Sequence, residues 1–244
     1  MPKRLPMFKM KDKNESYHKK KGLLFDMPYK IALVGRSMLS GKTNSVSNLL
    51  MRDEFYKNDI DGENIYIFSP SAKTDYKLKT LIEERDIPQQ NVHDSYNEDV
   101  IDGLYEILKE EFNEKVNAKE RPDHKLFLFD DMTASGDLKK HTNGAINKIF
   151  SNGRHVLINV IVTAQKYSDL PTFARENLSG GMFFAGTDRQ LELIMDDHNY
   201  MEDKRQFKKM YRETTKEPHS FLVVNYSNHP DARYMDSDFI PISN

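Results

Sequence analysis

The sequence predicts an α/β fold, a single domain with a mainly parallel central sheet flanked by helices. Three observations carry this reading. Apolar runs of strand length recur along the chain. Most of them are continuous rather than alternating, which is how strands buried on both faces read. Segments with helical spacing separate them, the order expected of a parallel sheet with crossover helices. With 244 residues the chain is long enough to bury a full core as one domain.

Taken in order, the predicted strands are Ile31–Val34, Ile65–Phe68, Leu126–Phe129, Leu157–Thr163, Met182–Ala185 and Phe221–Val224. Between the second and third, Val100, Ile101, Leu104, Ile107, Leu108 and Phe112 fall on one helical stripe. A further helix precedes the fourth strand, with Ala145, Ile146, Ile149 and Phe150 inward and Gly153 just past its end. After the fifth strand, Thr187-Asp188-Arg189-Gln190 has the form of a capping box, followed by Leu191 and Ile194. Residues 1–22 read as a basic flexible arm, 23–225 as the folded domain and 226–244 as an irregular tail containing Pro230 and Pro241. Tyr234, Phe239 and Ile240 predict that the tail packs on the body or on a neighbour.

Composition removes several classes of function. The chain has no Cys, which excludes disulfide frameworks, thiolate nucleophiles and Cys-ligated zinc, and fits a reducing compartment. Its longest nearly unbroken apolar run, Val156 to Ala164, is far below the roughly 20 residues that span a bilayer. No signal-peptide pattern opens it, so a soluble protein with no membrane association is expected. The net charge of −2 hides an asymmetry. Residues 1–21 hold eight Lys or Arg against two acids, a net of +6, which leaves −8 for the rest. The body is therefore no uniformly basic nucleic-acid binder, and affinity for a polyanion must be local. The eight histidines form no metal cluster in sequence; in Asp196-Asp197-His198, adjacent side chains diverge on a helix.

The sharpest motif follows the first strand. Gly35-Arg36-Ser37-Met38-Leu39-Ser40-Gly41-Lys42-Thr43 leads into a helix with Val46, Leu49 and Leu50 on one face, the P-loop arrangement. Successive amides around Ser40 to Thr43 would meet an anion at the helix N-terminus, where unpaired donors and the dipole favour it. Gly41 admits the main chain close to the phosphates, Lys42 supplies charge to the β- and γ-phosphates, and the Thr43 hydroxyl is a hard ligand for Mg²⁺. Gly35, Ser37, Ser40 and Asn44 complete the expected nucleotide contacts. Four residues usually separate the two glycines. Here that spacing would put Arg36 in the first glycine's place, so the loop either carries Arg there or is one residue longer.

Leu126-Phe127-Leu128-Phe129-Asp130-Asp131 delivers two acids at the end of a buried strand, beside the phosphate loop in a parallel sheet. Asp130 is the expected Mg²⁺ holder and Asp131 the residue that polarises the attacking water. On its own, a strand ending in Asp-Asp is also a common solvated strand end. The strand Leu157 to Ala164 ends in Gln165, an amide that can donate to a γ-phosphate and accept from water. Arg154 precedes this strand, and arginines that meet transition-state charge often come from a neighbouring subunit. Arg154 reads equally as a solvated helix end; Arg175, in Leu170-Pro171-Thr172-Phe173-Ala174-Arg175, is the reserve. Lys19-Lys20-Lys21 could bind DNA phosphates or be a solvated linker or weak nuclear signal.

From about Met27 to Asn225 the chain resembles the viral genome-packaging ATPases of the FtsK/HerA superfamily, found in poxviruses, giant viruses and virophages. The resemblance rests on Gly-Lys-Thr at 41–43, Ile-Phe-Ser-Pro at 67–70, the acids at 130–131, Arg154-His155 ahead of the Gln165 strand, and Leu170-Pro171 with Arg175 and Asn177. It implies a RecA-like core and assembly into a ring, a hexamer or pentamer. It further implies ATP-driven movement of double-stranded DNA into a preformed capsid, with a capsid or portal protein as partner. Host cytoplasm or a viral factory, with virion association, would be the place of action. Asp131 stands where cellular relatives usually have Glu. A GTPase is disfavoured because no Asn-Lys-x-Asp element is present, and a nucleotide kinase because the Gln-ended strand suits water activation. A cellular DNA segregation or conjugation ATPase and a non-hydrolysing ATP-binding ring component are the alternatives.

Overall fold

Alternate residues of single strands divide between two apolar layers, which is why the strands read as unbroken apolar runs. In β1 (Lys30–Val34), Ile31 and Leu33 join one buried cluster while Ala32 and Val34 join the other. In β4 (Lys125–Phe129), Leu126 and Leu128 face the first cluster, Phe127 and Phe129 the second. The computed structural model describes residue 10 and residues 13–37, 40–132 and 144–242. Lys3, Arg4, Lys9 and Lys11 of the expected arm lie outside the described residues, as do Met38 and Leu39 of the phosphate loop.

The remaining strands are β2 (Ile65–Phe68), β3 (Val92–His93), β5 (Ile158–Ala164), β6 (Gly180–Phe184), β7 (Phe221–Asn225) and β8 (Tyr234–Met235). They form one sheet in the order β3-β2-β4-β5-β1-β6-β7-β8. Pairing is parallel from β3 through β6, while β7 and β8 add antiparallel at one edge. The first cluster is covered by α1 (Lys42–Met51) and α2 (Tyr76–Glu84). The second is covered by α3 (Glu98–Asn117), α4 (Ala145–Asn152), α6 (Asp188–His198) and α7 (Lys204–Thr214), with α5 (Thr172–Glu176) between β5 and β6. No helix among the described residues is long and apolar enough to cross a membrane.

The register sets up the site. Val34 lies opposite Ala164 and Phe129 opposite Val162, so β1, β4 and β5 end side by side at one edge of the sheet. Ligands of open α/β sheets bind at this C-terminal edge.

The expected elements form, with boundaries shifted for local reasons. β6 begins at Gly180, ahead of the apolar run, because only glycine fits there. A Cβ on Gly180 would lie 2.0 Å from the Val224 carbonyl oxygen, and one on Gly181 2.7 Å from that of Ala32. Two boundary readings are corrected. From Lys13 onward the expected flexible arm is docked: Lys13–Tyr17 form a 3₁₀ turn and Tyr17 sets its ring edge-on to Phe112. Lys19 and Lys21 both pair with Asp59 and Lys20 pairs with Asp26, so acids of the body hold this lysine run. The tail is not wholly irregular either, since Tyr234–Met235 extend the sheet as β8 and the Tyr234 hydroxyl donates to the His198 carbonyl at 2.8 Å.

Candidate functional site

The phosphate loop is shaped by two glycines with different duties. Gly35 continues β1, its N–H donating to the Ala164 carbonyl at 3.0 Å. A Cβ there would meet Ser40 Cβ at 2.5 Å and Phe184 Cβ at 2.7 Å. The steric need for glycine thus falls at 35, and the loop holds five residues between Gly35 and Gly41, one more than usual. Gly41 has φ of 80°, the left-handed conformation that glycine adopts at least cost, and serves as N-cap of α1. Side chains of Asp75, Asn97, Thr187 and Asp203 cap α2, α3, α6 and α7, whereas no side chain caps α1. Its first-turn amides are left for an anion.

Lys42 lies back across its own loop. Its Nζ donates to the Gly35 carbonyl at 2.6 Å and sits 3.4 Å from Ser40 Oγ, which in turn donates to the Arg36 carbonyl. Burial pushes the Lys42 ammonium below its usual pKa, with Asp131 and Asp130 pulling the other way.

The acids sit across from it. Asp130 is 5% exposed, and its two oxygens accept from Thr163 Oγ1 at 2.8 Å and Ser69 Oγ at 3.1 Å. Thr163 Oγ1 also accepts the Asp131 N–H at 2.9 Å, so one hydroxyl on β5 fixes both acids of the β4 end. Asp131 has φ of 52°, a conformation Asp tolerates better than most side chains. Its Oδ1 accepts from Gln165 Nε2 at 3.0 Å. Ser37, Ser40, Gly41, Lys42, Thr43, Asp130, Asp131 and Gln165 line one cleft of 470 Å³. Sequence reasoning missed the opposite wall, Ser71, Asp75, Tyr76 and Lys77, and the two hydroxyls that hold Asp130. Ser69 was legible only as part of the Ile-Phe-Ser-Pro motif, without a role; the register sets it beside the end of β4.

Magnesium fits the donor set. The Thr43 hydroxyl and the Asp130 carboxylate are hard oxygens on one cleft, and Asp130 is buried. Burial raises the Asp130 carboxyl above its usual range, against the lowering effect of the Thr163 and Ser69 hydrogen bonds. The folded state thus holds the proton more tightly than the unfolded chain does. Ionised Asp130 costs stability, and the cost disappears as pH falls through its folded pKa. Asp130→Asn is expected to raise the melting temperature of ligand-free protein at neutral pH. The gain should shrink toward zero in melts taken at about pH 4. A gain that grew in acid would contradict the assignment.

The other predicted residues lie elsewhere. Asn44, on α1, faces a neighbouring cavity rather than this cleft, and Arg36 faces a third one with Gln165 and Phe184. Arg154 is exposed in the turn Gly153–Val156 directly before β5, at the opposite edge of the sheet from Gln165. Arg175 is tied down: Nη1 donates to Asp197 at 2.7 Å and the guanidinium lies over the Tyr167 ring, 5.3 Å from its centre. Reaching a phosphate would require that ion pair to break. Asp196-Asp197-His198 gathers no metal ligands, and no metal cluster occurs among the described residues. His198 is instead buried against Tyr167 and Phe183, and burial lowers its pKa to about 4.

A strand, a glycine loop and a helix, with an acid-tipped strand one place away across β5, make this chain a P-loop ATPase, and solved structures share the fold. The genome packaging NTPase B204 of Sulfolobus turreted icosahedral virus 2, in complex with AMP, superposes with a TM-score of 0.55 over 82% of this chain and 93% of that one, at 17% identity. B204 described as the DNA-packaging ATPase of Sulfolobus turreted icosahedral virus gives 0.54 over 88% and 98%, at 18% identity. No curated protein matches the chain. The poxvirus A32 protein family matches residues 15–234, and the chain belongs to that family.

Proposed function

We propose that this protein is an ATP-hydrolysing motor that moves double-stranded DNA into a viral capsid as a ring of identical subunits. The observation that carries the proposal is the meeting of Lys42, Thr43, Asp130, Asp131 and Gln165 on one cleft, in a chain of the poxvirus A32 family. B204, which shares the fold, is described as a genome packaging NTPase and has been solved with AMPPCP as well as AMP. ATP as substrate, DNA as the moved polymer, ring assembly, a capsid or portal partner and action in host cytoplasm or a viral factory follow as parts of this reading.

In the proposed reaction, the uncapped amides of α1 and Lys42 take the triphosphate. Lys42 gives up its bond to the Gly35 carbonyl to do so. Magnesium, held by Thr43 and Asp130, would neutralise charge on the β- and γ-phosphates. Asp131, oriented by Gln165 and Thr163, accepts the proton of the attacking water. The water oxygen bonds to the γ-phosphorus as the bond to the β–γ bridging oxygen breaks. Gln165, linked to Asp131, registers whether the γ-phosphate is present.

DNA contact through Lys19, Lys20 and Lys21 would compete with their pairing to Asp59 and Asp26. Phosphate release, measured with and without duplex DNA, tests the reading. Wild type should hydrolyse ATP faster with DNA, and Lys42→Ala should release no phosphate under either condition. Lys42-independent release would reject the cleft as the site, and binding without turnover would favour a non-hydrolysing ring component.

A further inference from the structure

The cavity that Arg36 faces, of 180 Å³, opens beside the phosphate cleft at the same edge of the sheet. Ser37 and Gln165 line both spaces and form the boundary between them. Buried Val34, Phe184, Ile194 and Tyr211 give it an apolar floor. The Tyr211 hydroxyl donates to the Phe184 carbonyl and so fixes the start of the wall formed by residues 185–187. Over that floor stand Arg36, Lys166 and Gln190. Cavities that take a drug-sized or nucleotide-sized ligand measure about 300 Å³ or more, so this one suits a smaller guest.

Charge separates the two spaces. Asp75, Asp130 and Asp131 line the phosphate cleft, whereas two cations and no carboxylate line this cavity among the described residues. Lys19, Lys20, Lys21 and Arg175 pair with acids; Arg36 and Lys166 have no acidic partner among the described residues. Arg36 is held by its main chain. Its carbonyl accepts from Ser40 Oγ at 2.7 Å, while the residue lines the cavity. Gln190 adds a donor: its Oε1 accepts from the Tyr167 N–H at 2.6 Å, which fixes the oxygen end of the amide and leaves the NH₂ group for the cavity. Two cations and an amide N–H over an apolar floor, with no acid among them, favour a small anion.

We infer that this cavity receives the orthophosphate cut from ATP and is its way out of the cleft. The inference rests on the hydrolysis reading above for the source of the anion. Water attack leaves orthophosphate between Asp131 and the β-phosphate of ADP, two negative neighbours that repel it. Gln165, whose Nε2 donates to Asp131 at 3.0 Å, also borders the cavity, so a cationic space without acids lies one side chain away. Arg36 and Lys166 are exposed, and exposed charges hold an anion weakly, which suits a product that must leave. Arg36, which the triphosphate contacts leave unused, thereby has a role in the phosphate loop.

Equilibrium dialysis of radiolabelled inorganic phosphate against the full chain saturated with AMPPCP tests this, because the analogue fills the γ-phosphate position. Wild type should still bind phosphate. Arg36→Ala and Lys166→Ala should each weaken that binding by roughly fivefold, the upper range for an exposed charge pair, and Arg36→Lys should restore part of it. AMPPCP affinity should stay close to wild type in all three. In a single turnover, both alanine variants should cleave ATP at the wild-type rate and release phosphate more slowly. Wild type that holds AMPPCP but no phosphate would overturn the inference and leave the triphosphate reading standing. Phosphate affinity unchanged in both alanine variants would overturn it too, as would an equal loss of AMPPCP, because the cations would then act through the loop's fold. Wild-type protein that bound no AMPPCP would reject the triphosphate reading, and this inference with it.

Discussion

Asp131→Asn lowers ATP turnover by roughly 10²–10⁴-fold, the range for removing a positioned acid–base group, and leaves nucleotide binding and the fold intact. The substitution is informative because so little else changes. Asn adopts the left-handed conformation at least as readily as Asp, so φ of 52° at this position is retained. The backbone N–H still donates to Thr163 Oγ1, and an amide oxygen can still accept from Gln165 Nε2. What is lost is the negative charge and the capacity to take a proton. Lys42→Ala differs in kind, since it removes the proposed phosphate contact and should abolish binding together with turnover. Phosphate release, nucleotide affinity and a thermal melt on the same preparation distinguish the cases. Turnover above about a tenth of wild type in Asp131→Asn would show that another group accepts the proton.

Much of this site was legible before the fold was known, and the limits of that legibility have physical causes. Strands buried on both faces announce themselves as apolar runs, and those runs end in the residues that matter: Gly35, Asp130 and Gln165. The parallel register then brings those ends together. The elements that escaped notice carry weak patterns. In α7 only Phe207, Met210 and Tyr211 are buried in a segment otherwise mostly polar and charged, and α2 buries only Leu78, Leu81 and Ile82. β3 and β8 are two residues each, too short to show a period. The loop spacing could not be decided from residue types, because the reason for glycine at 35 is the close approach of Ser40, set by the loop's own fold, and of Phe184, delivered by β6. Phe239 read only as a packing residue of the tail, and His219 gave no signal, since a positive φ at a non-glycine residue is fixed by surrounding bonds. Lys19-Lys20-Lys21 looked free for the same reason: Asp26 and Asp59 reach it only in the fold.

Arg154→Ala is expected to keep nucleotide binding and to lose turnover by about 10³-fold or more, the effect of withdrawing an arginine from phosphoryl transfer. Mixing it with Asp131→Asn protein should restore part of the activity. The reason is distance. Between Arg154 and Gln165 runs β5, seven residues long, which at about 3.3 Å per residue separates the ends by roughly 23 Å. No arginine side chain covers that span, so Arg154 cannot meet the γ-phosphate of its own subunit. It can meet a neighbour's, because it is exposed at the edge of the sheet and its turn is pinned from within. Lys30, at the foot of β1, donates to the Phe150 carbonyl in the last turn of α4, just before that turn. Burial and the nearby Arg154 charge lower the Lys30 pKa to about 8. An arginine repelled from inside and exposed outside suits an interface with a second copy. In mixed rings, an Arg154→Ala subunit offers an intact cleft and an Asp131→Asn neighbour offers the arginine. Random one-to-one mixing makes about a quarter of the interfaces complete, which sets the ceiling on recovered activity. Mixed rings that form and stay inactive would remove Arg154 from the reaction across the interface. Arg175 would then have to leave Asp197 to take its place, and Asp197→Asn, by freeing it, should speed turnover rather than slow it.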